Sequence, residues 1–372
     1  MTLKLYPNLI LDALRNVRYP GKSEDIVSAG MVQADSIHIA GNKVSFEIHF
    51  PKENDPFAKS LVRAAETAVN TYISPDVEVK GNVTAVFPKV VKEEKPQLLP
   101  GVKNIVAISS GKGGVGKSTV TANLAVALAA SGYKVGVLDA DIFGPSMPKM
   151  FCCEEARPCL ENINGRDLII PEESHGVKLL SIGFFVNKDA PVLWRGSMAC
   201  NALNQLITEA HWGELDYFLI DLPPGTSDIH LTLIQTLGIT GAIVVTTPQD
   251  VALADARKGV NMFLDEKVNV PLLGLVENMA WFTPEELPEN KYYIFGKEGG
   301  KRLAEEVGTH LLGQIPLVQS IREGGDSGVP IAANPDSIVG QAFRELAAKV
   351  IESVEERNTT LPPTKKVEVT RK

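Results

Sequence analysis

A glycine-rich stretch, Gly-Lys-Gly-Gly-Val-Gly-Lys-Ser-Thr at 111–119, constrains the fold of this chain more than any other segment. The short, unbroken apolar run at 104–108 before it is typical of a buried strand. The alanine- and leucine-rich run at 122–130, ended by Gly132, predicts a helix. In the order strand, glycine loop, helix, the pattern G-x-x-x-x-G-K-[ST] indicates a phosphate-binding loop. The stretch therefore predicts a polyphosphate site at a helix N-terminus.

Each residue type in the loop has a predicted task. The glycines let the backbone wrap closely around phosphates, Lys117 reaches the β- and γ-phosphates, and Ser118 binds Mg²⁺. We therefore expect ATP and Mg²⁺ as cofactors. The predicted nucleotide-binding residues of the loop are Gly111, Lys112, Gly113, Gly114, Val115, Gly116, Lys117, Ser118 and Thr119.

Lys112 adds a second lysine that a general phosphate loop does not require. The loop with this early lysine resembles the deviant Walker A loop of the ParA/MinD/nitrogenase-iron-protein class of dimeric ATPases. The resemblance implies a homodimer in which Lys112 reaches the nucleotide of the partner. It also implies that Lys112 and Lys117 are catalytic.

Apolar runs alternate with helix-like segments after the loop, which predicts a parallel sheet covered on both faces. We expect an α/β P-loop NTPase domain at 102–354, with its ligand at the carboxyl ends of the strands. A polar, proline-containing stretch at 355–372 is predicted to be an unstructured tail. The predicted strands after the loop lie at 134–139, 177–182, 217–221, 241–247, 272–278 and 311–316.

Residues 1–88 are predicted to form a small α+β domain, joined by a charged, proline-containing linker at 89–101. Its order resembles a small domain of iron–sulfur assembly factors, which commonly has a cysteine in the loop that is 51–56 here. That loop contains no cysteine in this chain. The predicted elements are a helix beginning at 9, strands at 26–32, 36–39, 43–50 and 76–86, and a helix at 56–72.

Three aspartates follow predicted strands. Asp221 ends an apolar strand before Leu-Pro-Pro-Gly-Thr-Ser-Asp, the Walker B position, which predicts a contact to the Mg²⁺ shell beside Ser118. Asp139 and Asp141 end the strand at 134–139, and two carboxylates at this spacing can serve water and metal. In the ParA/MinD class the second aspartate positions the attacking water. We therefore predict Asp141 as catalytic and Asp139 as a metal ligand.

Asn278 closes the predicted strand at 272–278. Its amide offers a donor and an acceptor that match one edge of adenine. We expect it to bind the base, with 313–316 and the following loop as the other wall.

Six motifs together resemble the Mrp/ApbC family of P-loop ATPases, which are thought to carry iron–sulfur clusters to apoproteins. The motifs are D-A-D-I-F-G-P-S, D-L-P-P-G-T-S-D, T-T-P-Q-D-V-A-L-A-D, V-E-N-M, G-Q-I-P-L and I-R-E-G-G-D-S-G-V-P. The resemblance implies apoprotein recipients or other iron–sulfur assembly factors as partners.

The chain departs from that family at the cluster site, a C-x-x-C that follows V-E-N-M. No cysteine lies between Glu277 and Gly296, and Cys200 is the last in the chain. Glu285, Glu286 and Glu289 in this segment are hard oxygen ligands that suit Mg²⁺ better than iron–sulfur chemistry. The remaining cysteines, Cys152, Cys153 and Cys159, have no familiar cluster spacing, and they leave redox or metal chemistry open.

Composition limits the alternatives. The net charge of −8 and the pI near 5.4 argue against nucleic-acid binding. No apolar run of membrane-spanning length and no secretory signal are visible, so we expect a cytoplasmic protein that binds no membrane. The leading hypothesis is a Mg²⁺-dependent ATPase in iron–sulfur cluster carriage or assembly. The alternative is a ParA/MinD-like ATP-switched scaffold, or an adaptor, that carries no cluster itself.

Overall fold

The computed structural model describes residues 4–52, 55–88, 98–185, 196–284, 286–287, 289–334 and 336–363, without the side chains at 196, 197, 228 and 338. The chain divides into two compact units, Met1–Pro96 and Gln97–Lys372. Of the predicted linker at 89–101, residues 89–97 lie outside the described residues. Leu99 at its end is buried in the core of the second unit.

The first unit is a small α+β fold with its own core. Strand β1 pairs antiparallel with β2, and β2 pairs parallel with β3. Helix α2 contacts both α1 and β3. The elements are α1 (Pro7–Leu14), β1 (His38–Ala40), β2 (Lys43–His49), α2 (Ala58–Tyr72) and β3 (Val83–Val86).

Two strand predictions in this unit are wrong. Residues 26–32 form turns, because the Asp25 carboxylate accepts the backbone N–H groups of Val27 and Ser28 at 2.9 and 2.8 Å. The strand predicted at 76–86 is confined to β3. A turn precedes it, in which Gly81 has a φ of +78° and donates its N–H to Glu66. Apolar residues in both segments are buried without being strands.

The second unit has the predicted mainly parallel sheet with helices packed against it, which confirms the fold class. The strand order is β13-β12-β11-β4-β10-β5-β9-β8, and among the described pairs of this sheet only β8–β9 is antiparallel. Strands β6 and β7 pair antiparallel in a separate two-stranded sheet. Helices α3 and α10 pack together, as do α7 and α8. The strands are β4 (Val102–Ser110), β5 (Val135–Asp139), β6 (Leu160–Ile163), β7 (Arg166–Ile169), β8 (Glu172–Ser174), β9 (Val177–Ser181), β10 (Leu215–Asp221), β11 (Gly241–Thr246), β12 (Leu272–Phe282) and β13 (Leu311–Leu317). The helices are α3 (Lys117–Ala130), α4 (Met147–Met150), α5 (Gly196–Thr208), α6 (Asp228–Thr236), α7 (Asp250–Leu264), α8 (Gly299–Val307), α9 (Gln319–Ser327) and α10 (Ile338–Thr360).

The C-terminal helix corrects the predicted tail. Helix α10 continues through Thr360, so the prediction of an unstructured tail is wrong for 355–360. Glutamate and arginine favour a helix, and buried Arg357 donates to the Pro362 carbonyl at 2.9 Å. The predicted tail from 364 onward lies outside the described residues. No helix within the described ranges is long and apolar enough to cross a membrane.

Strand register brings the polar strand ends together. In β10, Asp221 lies opposite Asp139 of β5 on one side and opposite Ile108 of β4 on the other. Strand β4 leads directly into the glycine loop, and Asn278 lies in β12 on the far side of β11. The carboxyl edge of the sheet therefore presents two neighbouring carboxylates beside the loop.

Candidate nucleotide site

The glycine loop at 111–119 encloses one side of a cleft of about 220 Å³. Residues 112–119 line it, together with Ser110, Asp141, Ser146, Met150 and Pro224. Gly116 has a φ of +83°, and a Cβ atom there would collide with the Asn278 amide nitrogen. Glycine at 116 is therefore required by both backbone conformation and space.

Lys117 and Asp221 form a buried ion pair at the base of the cleft. The Lys117 ammonium lies 2.7 Å from Asp221 Oδ2, and the two side chains are 6% and 0% exposed. The Ser118 hydroxyl donates to the same oxygen at 2.6 Å, and the Thr121 hydroxyl donates to Oδ1 at 2.7 Å. The structure thus joins the predicted lysine, serine and Walker B aspartate into one network, and adds Thr121.

Asp139 and Asp141 occupy different environments. Asp141 lines the cleft, and its Oδ2 lies 3.7 Å from the Lys117 ammonium. Burial raises the pKa of Asp141, and the charge of Lys117 opposes this. The water-positioning role of Asp141 stays a prediction.

Asp139 is fully buried beneath the cleft rather than part of its lining. Its Oδ2 accepts from the Ser181 hydroxyl at 2.8 Å and from the Met147 N–H at 3.3 Å. Burial and the neighbouring charge of Asp221 raise the pKa of Asp139 to about 7. This arrangement favours a supporting role, and direct metal binding by Asp139 stays a prediction.

The loop at 222–227, which we call switch II, closes another side of the cleft. Gly225 has a φ of +80° and donates its N–H to the Ser110 carbonyl at 2.8 Å. The Ser110 hydroxyl in turn donates to the Lys112 carbonyl at 3.1 Å. Switch II and the glycine loop are therefore connected through Ser110. Lys112 is among the residues that line the cleft, and its reach to a partner stays a prediction.

Asn278 contacts the glycine loop from β12. Its amide donates to the Val115 carbonyl at 2.8 Å, and the side chain is buried. One of its two amide N–H donors is thus used within the protein, and adenine binding by Asn278 stays a prediction. Gln314, in the segment predicted as the other adenine wall, donates to Glu277 Oε1 at 2.7 Å.

Two buried polar residues near the site, Glu277 and His230, were not predicted as functional from the sequence. Glu277 is fully buried and also accepts the Gly300 N–H at the start of α8. His230, in the first turn of α6, is fully buried behind switch II. Glu277 lies inside the V-E-N-M motif and His230 follows Ile229 just after D-L-P-P-G-T-S-D, but neither motif assigned a role to these two polar residues.

The segment where the resembling family has its C-x-x-C is aromatic in this chain. Phe282 and Tyr292 exchange backbone hydrogen bonds of 2.8 and 2.9 Å, which closes a hairpin. The Lys291 ammonium lies 3.9 Å from the centre of the Trp281 ring, a cation–π contact. Glu286 and Glu289 are exposed, and Glu285 lies outside the described residues.

The four cysteines differ in exposure. Cys152 and Cys159 are exposed, whereas Cys153 and Cys200 are half-buried. Burial raises the pKa of the Cys153 thiol to about 12. Within the ranges that the structure describes, no group of three or more His, Cys, Asp and Glu side chains could hold a metal ion.

Comparisons with known proteins agree with this geometry. Residues 101–351 match the family model described as NUBPL iron-transfer P-loop NTPase, and residues 8–80 match that of an iron-sulfur cluster assembly protein. A Synechocystis protein named iron-sulfur cluster carrier protein is 43% identical over 348 residues, 93% of this chain and 97% of its own. A Haemophilus influenzae protein of that name is 39% identical over 356 residues, 95% and 94% of the two chains.

Solved structures match the second unit. The Archaeoglobus fulgidus nucleotide-binding protein in complex with ADP is 34% identical, with a TM-score of 0.56 over 66% of this chain and 93% of that one. The Pyrococcus furiosus cell division ATPase MinD is 26% identical, with a TM-score of 0.51 over 67% and 98%. Because the family model covers more than half of the chain and relatives match it nearly end to end, the protein belongs to the NUBPL iron-transfer P-loop NTPase family.

Proposed function

We propose that this protein is a Mg²⁺-dependent ATPase whose nucleotide cycle serves the carriage or assembly of iron–sulfur clusters. The observation that carries the ATPase part is the contact of Lys117, Ser118 and Thr121 with one buried carboxylate, Asp221, beneath a glycine loop. This arrangement holds a phosphate-binding lysine and a metal-binding hydroxyl at one point. The ADP complex of the Archaeoglobus relative supports a nucleotide in the same cleft.

The residues present fit Mg²⁺. Ser118 and Asp221 are hard oxygen donors 2.6 Å apart, and Mg²⁺ is usually held by one or two such groups together with water and phosphate. A preformed cage of protein ligands is therefore not needed. Bound Mg²⁺ neutralises charge on the phosphate oxygens.

In the proposed reaction the Lys117 ammonium leaves its contact with Asp221 and binds the β- and γ-phosphates of ATP. Asp141 accepts a hydrogen bond from water and directs it at the γ-phosphorus. Asp139 supports the Asp141 backbone, since its Oδ1 accepts the Asp141 N–H at 3.2 Å. Lys112, from a second copy of the chain, would add positive charge at the phosphates, so we propose a homodimer.

Iron–sulfur clusters enter this proposal as cargo. Support comes from the names of relatives that match nearly the whole chain, and from the small domain at 8–80. The proposed recipients are apoproteins or other assembly factors. The ligands of such a cluster would be thiolates.

A second candidate is an ATP-switched scaffold or adaptor that carries no cluster itself. The observation that favours it is the cysteine-free aromatic hairpin closed by Phe282 and Tyr292, where the resembling family has its cluster ligands. Both candidates share the same ATP cycle.

ATPase assays test the shared part. Lys117→Ala should abolish Mg²⁺-dependent ATP turnover, whereas Lys258→Ala, on the exposed face of α7, should leave turnover unchanged. Normal turnover by Lys117→Ala would refute the site assignment.

Anaerobic reconstitution with iron and sulfide separates the two candidates. A carrier should bind iron with charge-transfer absorbance, and that iron should be lost when Cys152, Cys153 and Cys159 are replaced by serine. Iron no higher than in this triple variant would reject carriage by this chain and favour the adaptor.

A further inference from the structure

His230 is a buried histidine whose protonation pattern follows from its contacts. Its Nδ1 lies 3.1 Å from the backbone nitrogen of Ser227 and 3.1 Å from the Ser227 hydroxyl. A backbone N–H can only donate, so Nδ1 is the acceptor. The hydrogen of the neutral ring therefore lies on Nε2.

This Nε2–H is a buried donor that lacks a partner among the described residues. The Pro223 carbonyl is close enough to raise the pKa of His230, yet it makes no hydrogen bond of ordinary geometry with Nε2. Burial, followed by the charge of Lys117, lowers this pKa to about 4, so the ring is neutral at neutral pH. An unpaired buried donor is costly, and its retention calls for an explanation.

The two nitrogens of the imidazole serve different parts of switch II. Nδ1 contacts Ser227, and the Pro223 carbonyl, which can only accept, can pair only with Nε2–H. Pro224 between them lines the cleft. Switch II is also held by the hydrogen bond that the Gly225 N–H donates to the Ser110 carbonyl. A small shift of this loop would change the distance between Nε2 and the Pro223 carbonyl.

We propose that His230 is a positioning residue for ATP hydrolysis. It holds switch II through the contact of Nδ1 with Ser227. When nucleotide binding moves the loop, its Nε2–H donates a second hydrogen bond to the Pro223 carbonyl. The inference rests on the proposed ATPase function. His230 does not line the cleft, so it acts through switch II and not on the phosphates.

Two substitutions separate the ends of the ring. Asparagine places its oxygen where Nδ1 lies and can still accept the Ser227 N–H, but it does not reach Pro223. Glutamine places a donor near the Nε2 position and gives up the acceptor at Nδ1. His310→Asn, at a histidine whose side chain is 69% exposed, is the matched control.

We expect His230→Asn to lower kcat about five- to tenfold, the loss expected for one hydrogen bond made during turnover, with KM for ATP within about twofold of wild type. His230→Gln should keep at least half of the wild-type kcat but melt earlier, and His310→Asn should match wild type. If His230 only caps α6, His230→Asn should have the higher kcat of the two variants, because asparagine keeps the cap and glutamine loses it. That ranking, or an unchanged kcat in both variants, would overturn the proposal.

Proton NMR of the wild-type chain with ¹⁵N-labelled histidine gives a readout that needs no variant. With Mg²⁺ and a non-hydrolysable ATP analogue bound, we expect a downfield imidazole Nε2–H signal, which is typical of a buried, hydrogen-bonded ring. Without nucleotide, this signal should be absent. If the signal does not change when the analogue binds, the proposal is wrong. Should the wild-type chain bind ATP without hydrolysing it, the proposed function fails, whereas this signal still decides whether His230 responds to nucleotide.

Discussion

Replacing Thr121 by valine tests the buried support of Asp221 most directly. The Thr121 hydroxyl lies 3.0 Å from the Lys117 carbonyl, one turn earlier in α3, and 2.7 Å from Asp221 Oδ1. It has a single hydrogen, and the shorter contact to a charged acceptor is the stronger one. Both Thr121 and Asp221 are fully buried, so water cannot replace the lost donor.

The expected cost follows from the charge of the acceptor. A hydrogen bond to a charged group contributes about 1.5–3 kcal/mol to stability, and threonine and valine have similar helix propensities. Thr208→Val is the matched control, because exposed Thr208 also donates to the carbonyl four residues earlier, at 2.7 Å from Asn204. We therefore expect Thr121→Val to lose about 2 kcal/mol more than Thr208→Val.

Urea unfolding followed by tryptophan fluorescence measures this difference. All three tryptophans, Trp194, Trp212 and Trp281, lie in the unit Gln97–Lys372, so the signal reports that unit alone. Equal m-values in the two variants would show that the same transition is compared. If the two free energies of unfolding agree within about 0.5 kcal/mol, the reasoning about Asp221 is refuted.

Three further predictions concern other parts of the second unit. Gly116→Ala should abolish binding of a fluorescent ATP analogue, measured by titration, because the new Cβ would collide with Asn278; normal affinity would contradict the loop geometry. Iodoacetamide at pH 8 should label Cys159 much faster than Cys153, whose pKa is raised to about 12, as peptide mass spectrometry would show; equal rates would contradict it. Unfolded His230 titrates near 6.5 and the folded residue near 4, so the unfolded state binds the extra proton between these values. Wild type should therefore lose about 3 kcal/mol more than His230→Asn between pH 7 and pH 4 in urea titrations, and parallel pH profiles would contradict this.

The sequence was informative where local chemistry decides the structure. The glycine loop was recognisable by its residue types and spacing, and its neighbours at 104–108 and 122–130 are a strand and a helix as predicted. Buried parallel strands are continuous apolar runs, so their ends could be located within a few residues. Asp139 and Asp221, the polar residues at two of those ends, were therefore found as well, whereas β12 continues to Phe282, beyond Asn278, which was predicted to close it.

The sequence could not predict which strands lie side by side or which polar side chains are fully buried. The neighbourhood of Asp139 and Asp221 depends on β5 lying beside β10, which strand order decides and local pattern does not. Burial of Asp139 beneath the cleft likewise follows from its contact with Ser181, forty-two residues away. The wrong strand at 26–32 has a similar cause, since an apolar run buries its side chains equally well in a turn closed by Asp25.

The position of Lys117 explains why the support of Asp221 includes neutral donors. One ammonium cannot serve a phosphate and Asp221 together, so the proposed reaction removes the only cation that lies within 4 Å of this carboxylate among the described residues. A buried carboxylate that loses its cation is destabilised unless other donors remain. Ser118 and Thr121 stay in place on the first turns of α3, with one hydroxyl on each oxygen of Asp221. They keep both oxygens of Asp221 hydrogen-bonded while Lys117 moves, so that the carboxylate stays in place to help to hold Mg²⁺ at the phosphates.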